Sequence, residues 1–191
     1  MRRLAVFASG SGTNAENLIK YFHDSDVAEV VVVFCNKPRA AVIKRVENLK
    51  VPVVVFDRVQ LHDCDSILKR LNSYQVDMII LAGFLWLIPQ SLLKAFPKAI
   101  INIHPALLPN YGGKGMYGAR VHQAVIENID KKSGITIHLI DEHYDKGQNL
   151  AQIECPVENS DTPDSLATRI HALEYEFYPK VIEQYIKEVQ E

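Results

Sequence analysis

Apolar residues fall in short runs rich in β-branched side chains, separated by longer stretches in which apolar and polar positions mix at helical spacing. Residues 4–8, 27–35, 51–56, 78–82 and 100–103 read as strands. Their near-continuous apolarity marks burial on both faces, the habit of a parallel sheet. Residues 14–22, 40–49, 66–74 and 89–95 have the polarity of covering helices. This alternation predicts an α/β fold, a doubly wound and mostly parallel sheet with right-handed crossovers and helices on both faces.

The rhythm changes after residue 103. Residues 104–118 are rich in Pro and Gly, 119–128 read as a helix, and 135–140 and 150–157 as two further strands. A last helix is predicted over 162–188, with Asp161 or Thr162 as N-cap and Pro163 in its first turn. Pro179 should kink or divide that helix, because it lacks an N–H and crowds the preceding turn. Repeats and low-complexity segments are absent from the sequence.

The 191 residues fit one domain, 48% hydrophobic and 23% charged, with a formal net charge of -2. The longest basic runs are the pairs Arg2-Arg3 and Lys131-Lys132, so the sequence carries no footprint for nucleic acid, and a small-molecule partner is expected. Cys35, Cys64 and Cys155 match neither a disulfide framework nor a zinc pattern, which fits a reducing cytoplasm. The apolar stretch 4–8 is shorter than a signal-peptide core or a membrane span, so no targeting segment and no membrane partner are expected. A homodimer is left open.

Three segments could carry chemistry. Ser9-Gly10-Ser11-Gly12-Thr13-Asn14 joins the first strand to the first helix, where free N–H groups at a helix N-terminus attract phosphate. An ordinary βα turn is the plain alternative. A dinucleotide fingerprint is a third reading, but the end of the second strand offers Cys35-Asn36-Lys37 where an acidic residue would hold the ribose, so only an NADPH-type ligand would suit. Asn102 and His104 lie two apart on the fifth strand and face one side, placing an amide and an imidazole where open α/β sheets bind ligands. Local capping and packing is the plain alternative for this pair. Finally, an alternating strand runs into the acidic loop Asp141-Glu142-His143-Tyr144-Asp145, from which a carboxylate could approach His104 and favour its protonated form.

These motifs in this order, with Leu81-Ala82-Gly83-Phe84-Leu85, Leu107-Leu108-Pro109 and Glu174-Tyr175-Glu176-Phe177-Tyr178-Pro179, resemble the phosphoribosylglycinamide formyltransferase family over nearly the whole chain. The resemblance implies a Rossmann-like fold, with residues 1–103 a nucleotide-binding half and 104–191 a folate-binding and catalytic half. It also implies formyl transfer from 10-formyltetrahydrofolate to glycinamide ribonucleotide in purine biosynthesis, without a metal. Carried over by position, it implies Asn102, His104 and Asp145 as catalytic. Gly12, Thr13 and Asn14 would bind phosphate, and His171 and Glu174 would lie on the substrate side. Leu85, Trp86, Leu87, Ile140, Asp141, Glu142, His143 and Tyr144 would form the folate pocket together with Asn102 and Asp145.

Trp86 stands where many members carry a basic residue, and the region 58–66 does not align. The glycine-rich stretch 111–118 is read either as a lid or as a surface insertion. His23, His62 and His122 are expected on helix or loop surfaces, and His138 is expected to order a neighbouring loop. A formyltetrahydrofolate deformylase, which shares the triad but usually carries an additional N-terminal domain not expected here, is the enzymatic alternative. A nucleotide-sensing module is the non-enzymatic one.

Overall fold

The computed structural model describes residues 1–142, 145 and 147–189. Seven strands form one sheet: β1 (Arg2–Ala8), β2 (Ala28–Cys35), β3 (Val53–Val55), β4 (Met78–Leu81), β5 (Ile100–His104), β6 (Lys132–Leu139) and β7 (Asn149–Pro156). Their order is β3, β2, β1, β4, β5, β6, β7. The first five are parallel, as their apolar runs require. β6 runs antiparallel to β5 and β7 antiparallel to β6. The connection 140–148 is too short for the crossover that a parallel β6–β7 pair would need.

The helices are α1 (Thr13–Tyr21), α2 (Ala41–Glu47), α3 (Arg58–His62), α4 (Cys64–Ser73), α5 (Gln90–Ala95), α6 (Ala119–Glu127) and α7 (Pro163–Glu188). Period-two alternation in β1 divides the interior into two cores. Leu4, Val6 and Ala8 face buried residues of α1, α2, α6 and α7, while Ala5 and Phe7 face those of α3, α4 and α5. In the second core Phe7 stacks on Phe34 at 4.8 Å and meets Phe84 edge-on at 5.4 Å. Each such ring contributes about 1.5–3 kcal/mol by its burial.

Two helices depart from expectation. α3 is a short element started by a reciprocal capping box between Asp57 and Gln60. α7 starts at a Thr162–Ser165 capping box and continues as one helix through Pro179 instead of dividing there. The reason is tertiary: the Tyr175 carbonyl, which Pro179 cannot bond, accepts from Asn17 Nδ2 of α1 at 2.9 Å. One turn along, the buried Tyr178 hydroxyl lies 2.9 Å from the Leu81 carbonyl and 3.2 Å from that of Ile101, fastening α7 to β4 and β5. Among the described residues no helix is long and apolar enough to cross a membrane.

Strand order reverses beside β1, with β2 and β3 on one side and β4 onward on the other. A crevice therefore opens above the carboxyl ends of β1 and β4, the place where such sheets receive ligands.

Candidate active site

The crevice begins at the turn between β1 and α1. Gly12 is the N-cap of α1 with φ 76°, and no side chain caps the helix, so its first-turn N–H groups are available to an anion. A Cβ at Gly12 would overlap the Val42 side chain, so both space and backbone conformation demand glycine. Arg45 of α2 braces the turn, donating from Nε to the Ser11 carbonyl at 3.0 Å and from Nη1 to Glu16. The buried Ser9 hydroxyl accepts from the Leu85 N–H at 3.1 Å, tying this turn to the loop after β4.

Asn14, at the start of α1, donates from Nδ2 to Glu174 of α7 at 2.9 Å. Burial pushes the Glu174 carboxyl above its ordinary range, opposed by that hydrogen bond and by nearby His171.

On β5, Asn102 and His104 share a face, and the antiparallel register sets them opposite His138 and Thr136. Thr136 donates to the Ala106 carbonyl at 2.7 Å and accepts from Leu108 N–H at 3.0 Å, holding the chain just after His104 in place. His138 is fully buried. Its Nδ1 donates to the Leu139 carbonyl at 2.9 Å, which leaves Nε2 to accept from Asn102 Nδ2 at 3.1 Å. Burial lowers the His138 pKa, opposed by the Leu139 carbonyl and by Asp145, so the ring is neutral and the assignment is self-consistent. Asn102 keeps one amide N–H for the cavity.

His104 Nε2 donates to the Tyr111 carbonyl at 2.7 Å. Its Nδ1 lies 3.7 Å from Asp145 Oδ2, while Asp145 Oδ1 lies 3.7 Å from His138 Nε2. Both gaps exceed a hydrogen bond but leave strong electrostatic reach in a buried setting. Asp145 has φ 52° and accepts from Gly113 N–H at 2.8 Å. Residues 111–113 therefore hold both members of the His104–Asp145 pair through their backbone.

These groups line one cavity of about 650 Å³. Gly12, Thr13, Asn14, Leu85, Asn102, His104, Asp145, His171 and Glu174 all face it, as do residues 113–118, so the glycine-rich stretch is a wall of the cavity. Lys37, Arg58, Lys114 and Arg120 add cationic lining.

Trp86, Leu87, Ile140, Asp141 and Glu142 do not line it. Trp86 packs edge-on against Phe56 at 6.1 Å with the Arg58 guanidinium 5.2 Å from its ring, so it belongs to the second core. Ile140 packs on the same core, while Leu87, Asp141 and Glu142 are exposed. His143 and Tyr144 lie outside the described residues.

One histidine is placed differently from expectation: His122 is 2% exposed and lines the cavity. It belongs to the buried stripe of α6 with Val121 and Val125. The part played by His138 emerges only from the β5–β6 register; the alternation of β6 sets it on one face with Thr136 but does not reveal its partner. Arg58 lies in the segment that resists alignment. Among the described residues no cluster of His, Cys, Asp or Glu is arranged to hold a metal ion.

Residues 2–182 match the sequence model described as formyl transferase. A chloroplastic phosphoribosylglycinamide formyltransferase of Arabidopsis thaliana is 41% identical over 95% of the chain, which spans 64% of that relative's length. Against the Vigna unguiculata counterpart the chain spans 62%. A phosphoribosylglycinamide formyltransferase of Bacillus subtilis is 36% identical, with 96% of this chain and 94% of the relative covered. Among solved structures, the phosphoribosylglycinamide formyltransferase of Bacillus halodurans superposes with a TM-score of 0.88 at 34% identity, covering 98% of this chain and 97% of the other.

Proposed function

The chain belongs to the formyl transferase family, and from that premise we propose that it transfers the formyl group of 10-formyltetrahydrofolate to the amine of 5-phosphoribosylglycinamide. The observation that carries this reading is the convergence in one cavity of an uncapped helix N-terminus and the Asn102, His104 and Asp145 side chains. A phosphorylated substrate can be anchored at the first while its amine reacts at the second.

The first-turn N–H groups after Gly12 receive the phosphate, with Lys37 adding positive potential from the cavity wall. Glu174, held by Asn14, is placed to accept hydrogen bonds from the sugar. Asn102 is fixed by neutral His138 so that its remaining amide N–H faces the reacting centre. His104 has committed Nε2 to the Tyr111 carbonyl, so Nδ1 is the atom that takes up or releases a proton. Asp145 stabilises the charge on His104 when Nδ1 is protonated.

The folate co-substrate supplies the formyl carbon. The substrate amine forms a bond to that carbon, and negative charge develops on the formyl oxygen, met by the Asn102 amide and protonated His104. The bond to the folate nitrogen then breaks, and a proton shed by the attacking amine returns to that nitrogen through His104. Donors fixed before the reaction stabilise the developing charge without reorganising during it.

We also place the protein in a reducing cytoplasm, in keeping with the free, buried Cys35 and Cys155. The test is folate release from 10-formyltetrahydrofolate, followed by absorbance with and without glycinamide ribonucleotide. Release that depends on the nucleotide supports the proposal. Equal release without it assigns a deformylase, and binding without release assigns a sensing module.

A further inference from the structure

Tyr111 lies in the stretch that leads away from β5, and its backbone has a φ of 55°. That left-handed conformation suits glycine and is unfavourable for a bulky aromatic residue, so the surrounding structure has to hold it. The phenol does so. Its hydroxyl donates to Asp130 Oδ2 at 2.5 Å and accepts from Asn128 Nδ2 at 2.8 Å, while the ring packs against the core shared with α6 and α7. Burial and the bond to Asp130, opposed by Asn128, push the phenol above its ordinary pKa, so it stays protonated and remains the donor. Asn128 and Asp130 belong to the connection between α6 and β6, and neither lines the cavity. At the other end of the same residue, the Tyr111 carbonyl accepts from His104 Nε2 at 2.7 Å.

Neutral His104 carries one N–H, and two acceptors compete for it. The Tyr111 carbonyl stands at Nε2, whereas Asp145 Oδ2 stands 3.7 Å from Nδ1. A carboxylate is intrinsically the stronger acceptor, so the balance rests on the shorter distance, and that distance is set by where Tyr111 is held. Gly113 N–H occupies the same Asp145 oxygen at 2.8 Å, which tempers the rival.

We propose that Tyr111 is a positioning residue for His104: its phenol, moored to Asp130 and Asn128, fixes the backbone carbonyl that keeps the proton on Nε2 and leaves Nδ1 bare. Bare Nδ1 is then the atom that takes the proton shed by the attacking amine. The inference deepens the function proposed above and rests on it for the proton path, whereas the tautomer of His104 can be observed without any reaction.

Tyr111→Phe removes only the hydroxyl, Asp130→Ala removes its acceptor from a position outside the cavity, and Asp130→Asn restores a neutral acceptor oxygen. Nitrogen-15 NMR of histidine-labelled protein, at a pH high enough for the ring to be neutral, reports which nitrogen of His104 carries the proton. A His104→Gln variant assigns the resonance, and kcat and KM are measured for both substrates. The wild type should show the proton on Nε2. In Tyr111→Phe and Asp130→Ala the Nδ1–H tautomer should appear and kcat should fall by roughly tenfold, within the hundredfold or so that an ångström of misplacement costs. KM for both substrates should stay within about twofold, because substrate binding is left intact. Asp130→Asn should recover most of the kcat, and the double variant should lose no more than either single one, since both cut the same bond.

An unmoved tautomer or an undiminished kcat in the folded variants overturns the proposal, as do losses that add in the double variant. A role in stability alone would lower the melting temperature and leave tautomer and kcat at wild-type values. If circular dichroism shows Tyr111→Phe to be unfolded, Asp130→Ala is read by the same criteria. Absence of formyl transfer in the wild type removes the function proposed above and the proton path with it, whereas formyl transfer with an unmoved tautomer removes this inference alone.

Discussion

Replacing His122 should make the protein less sensitive to mild acid. In the unfolded chain a histidine titrates near 6.5, whereas in the fold the His122 pKa is about 4 because the neutral ring is buried beside His171. Between those values the unfolded chain binds the proton and the folded chain refuses it, so this group withdraws stability as pH falls. The loss amounts to about 2 kcal/mol at pH 5 and approaches about 3 kcal/mol below pH 4. His138 shifts in the same direction and Glu174 in the opposite one, but both are present in wild type and variant, so the difference isolates His122. Urea denaturation at intervals from pH 7.5 to pH 4.5, on wild type and His122→Leu, measures it. The variant curve should be flatter by about 2 kcal/mol between pH 7.5 and pH 5. Parallel curves would mean that His122 titrates as an ordinary exposed histidine, and the account of its burial would be wrong.

Other substitutions test the remaining parts of the site and its scaffold. Asn102→Ala and His104→Ala should each reduce kcat by about 10²–10³ fold in steady-state assays, since in the proposed mechanism each removes a donor to developing charge, while circular dichroism shows both variants folded at the assay temperature. Gly12→Ala forces a Cβ into Val42 at a left-handed backbone position. It should lower the melting temperature and weaken nucleotide binding measured by calorimetry. Asn17→Ala strands the Tyr175 carbonyl opposite Pro179 and should cost about 0.5–1.5 kcal/mol in urea denaturation, with kcat preserved.

The parallel half of the fold was legible because its strands are buried on both faces and their apolar runs are unbroken. The pairing of Asn102 with His104 was legible for a similarly local reason, the two-residue period of a strand. What depended on partners distant in sequence was not. His138 fixes Asn102 only because β6 runs antiparallel to β5 in one register, and nothing within residues 132–139 states that register. Pro179 carries a strong local signal to break α7, and a side chain from α1 overrides it. His122 follows Val121 on α6 in a stripe that a reader of apolar spacing completes with Val125, and only the cavity beside it makes burial of an imidazole intelligible. α3 did have a readable signature, since Asp57 and Gln60 stand at capping-box spacing, but its five residues are too few for periodicity to speak.

The Asn14–Glu174 hydrogen bond joins residues 160 positions apart, the Asn17–Tyr175 bond beside it spans 158, and Tyr178 reaches back 97 positions to Leu81. During synthesis the parallel strands can emerge and pair while α7 is still inside the ribosome, yet the pocket has no Glu174 and no His171 until that helix arrives. Loop closure over such a span comes late because its entropic cost must be met before its contacts form. The cavity therefore lacks one wall until α7 has docked on the sheet, and a chain clipped before residue 171 would present an incomplete cavity.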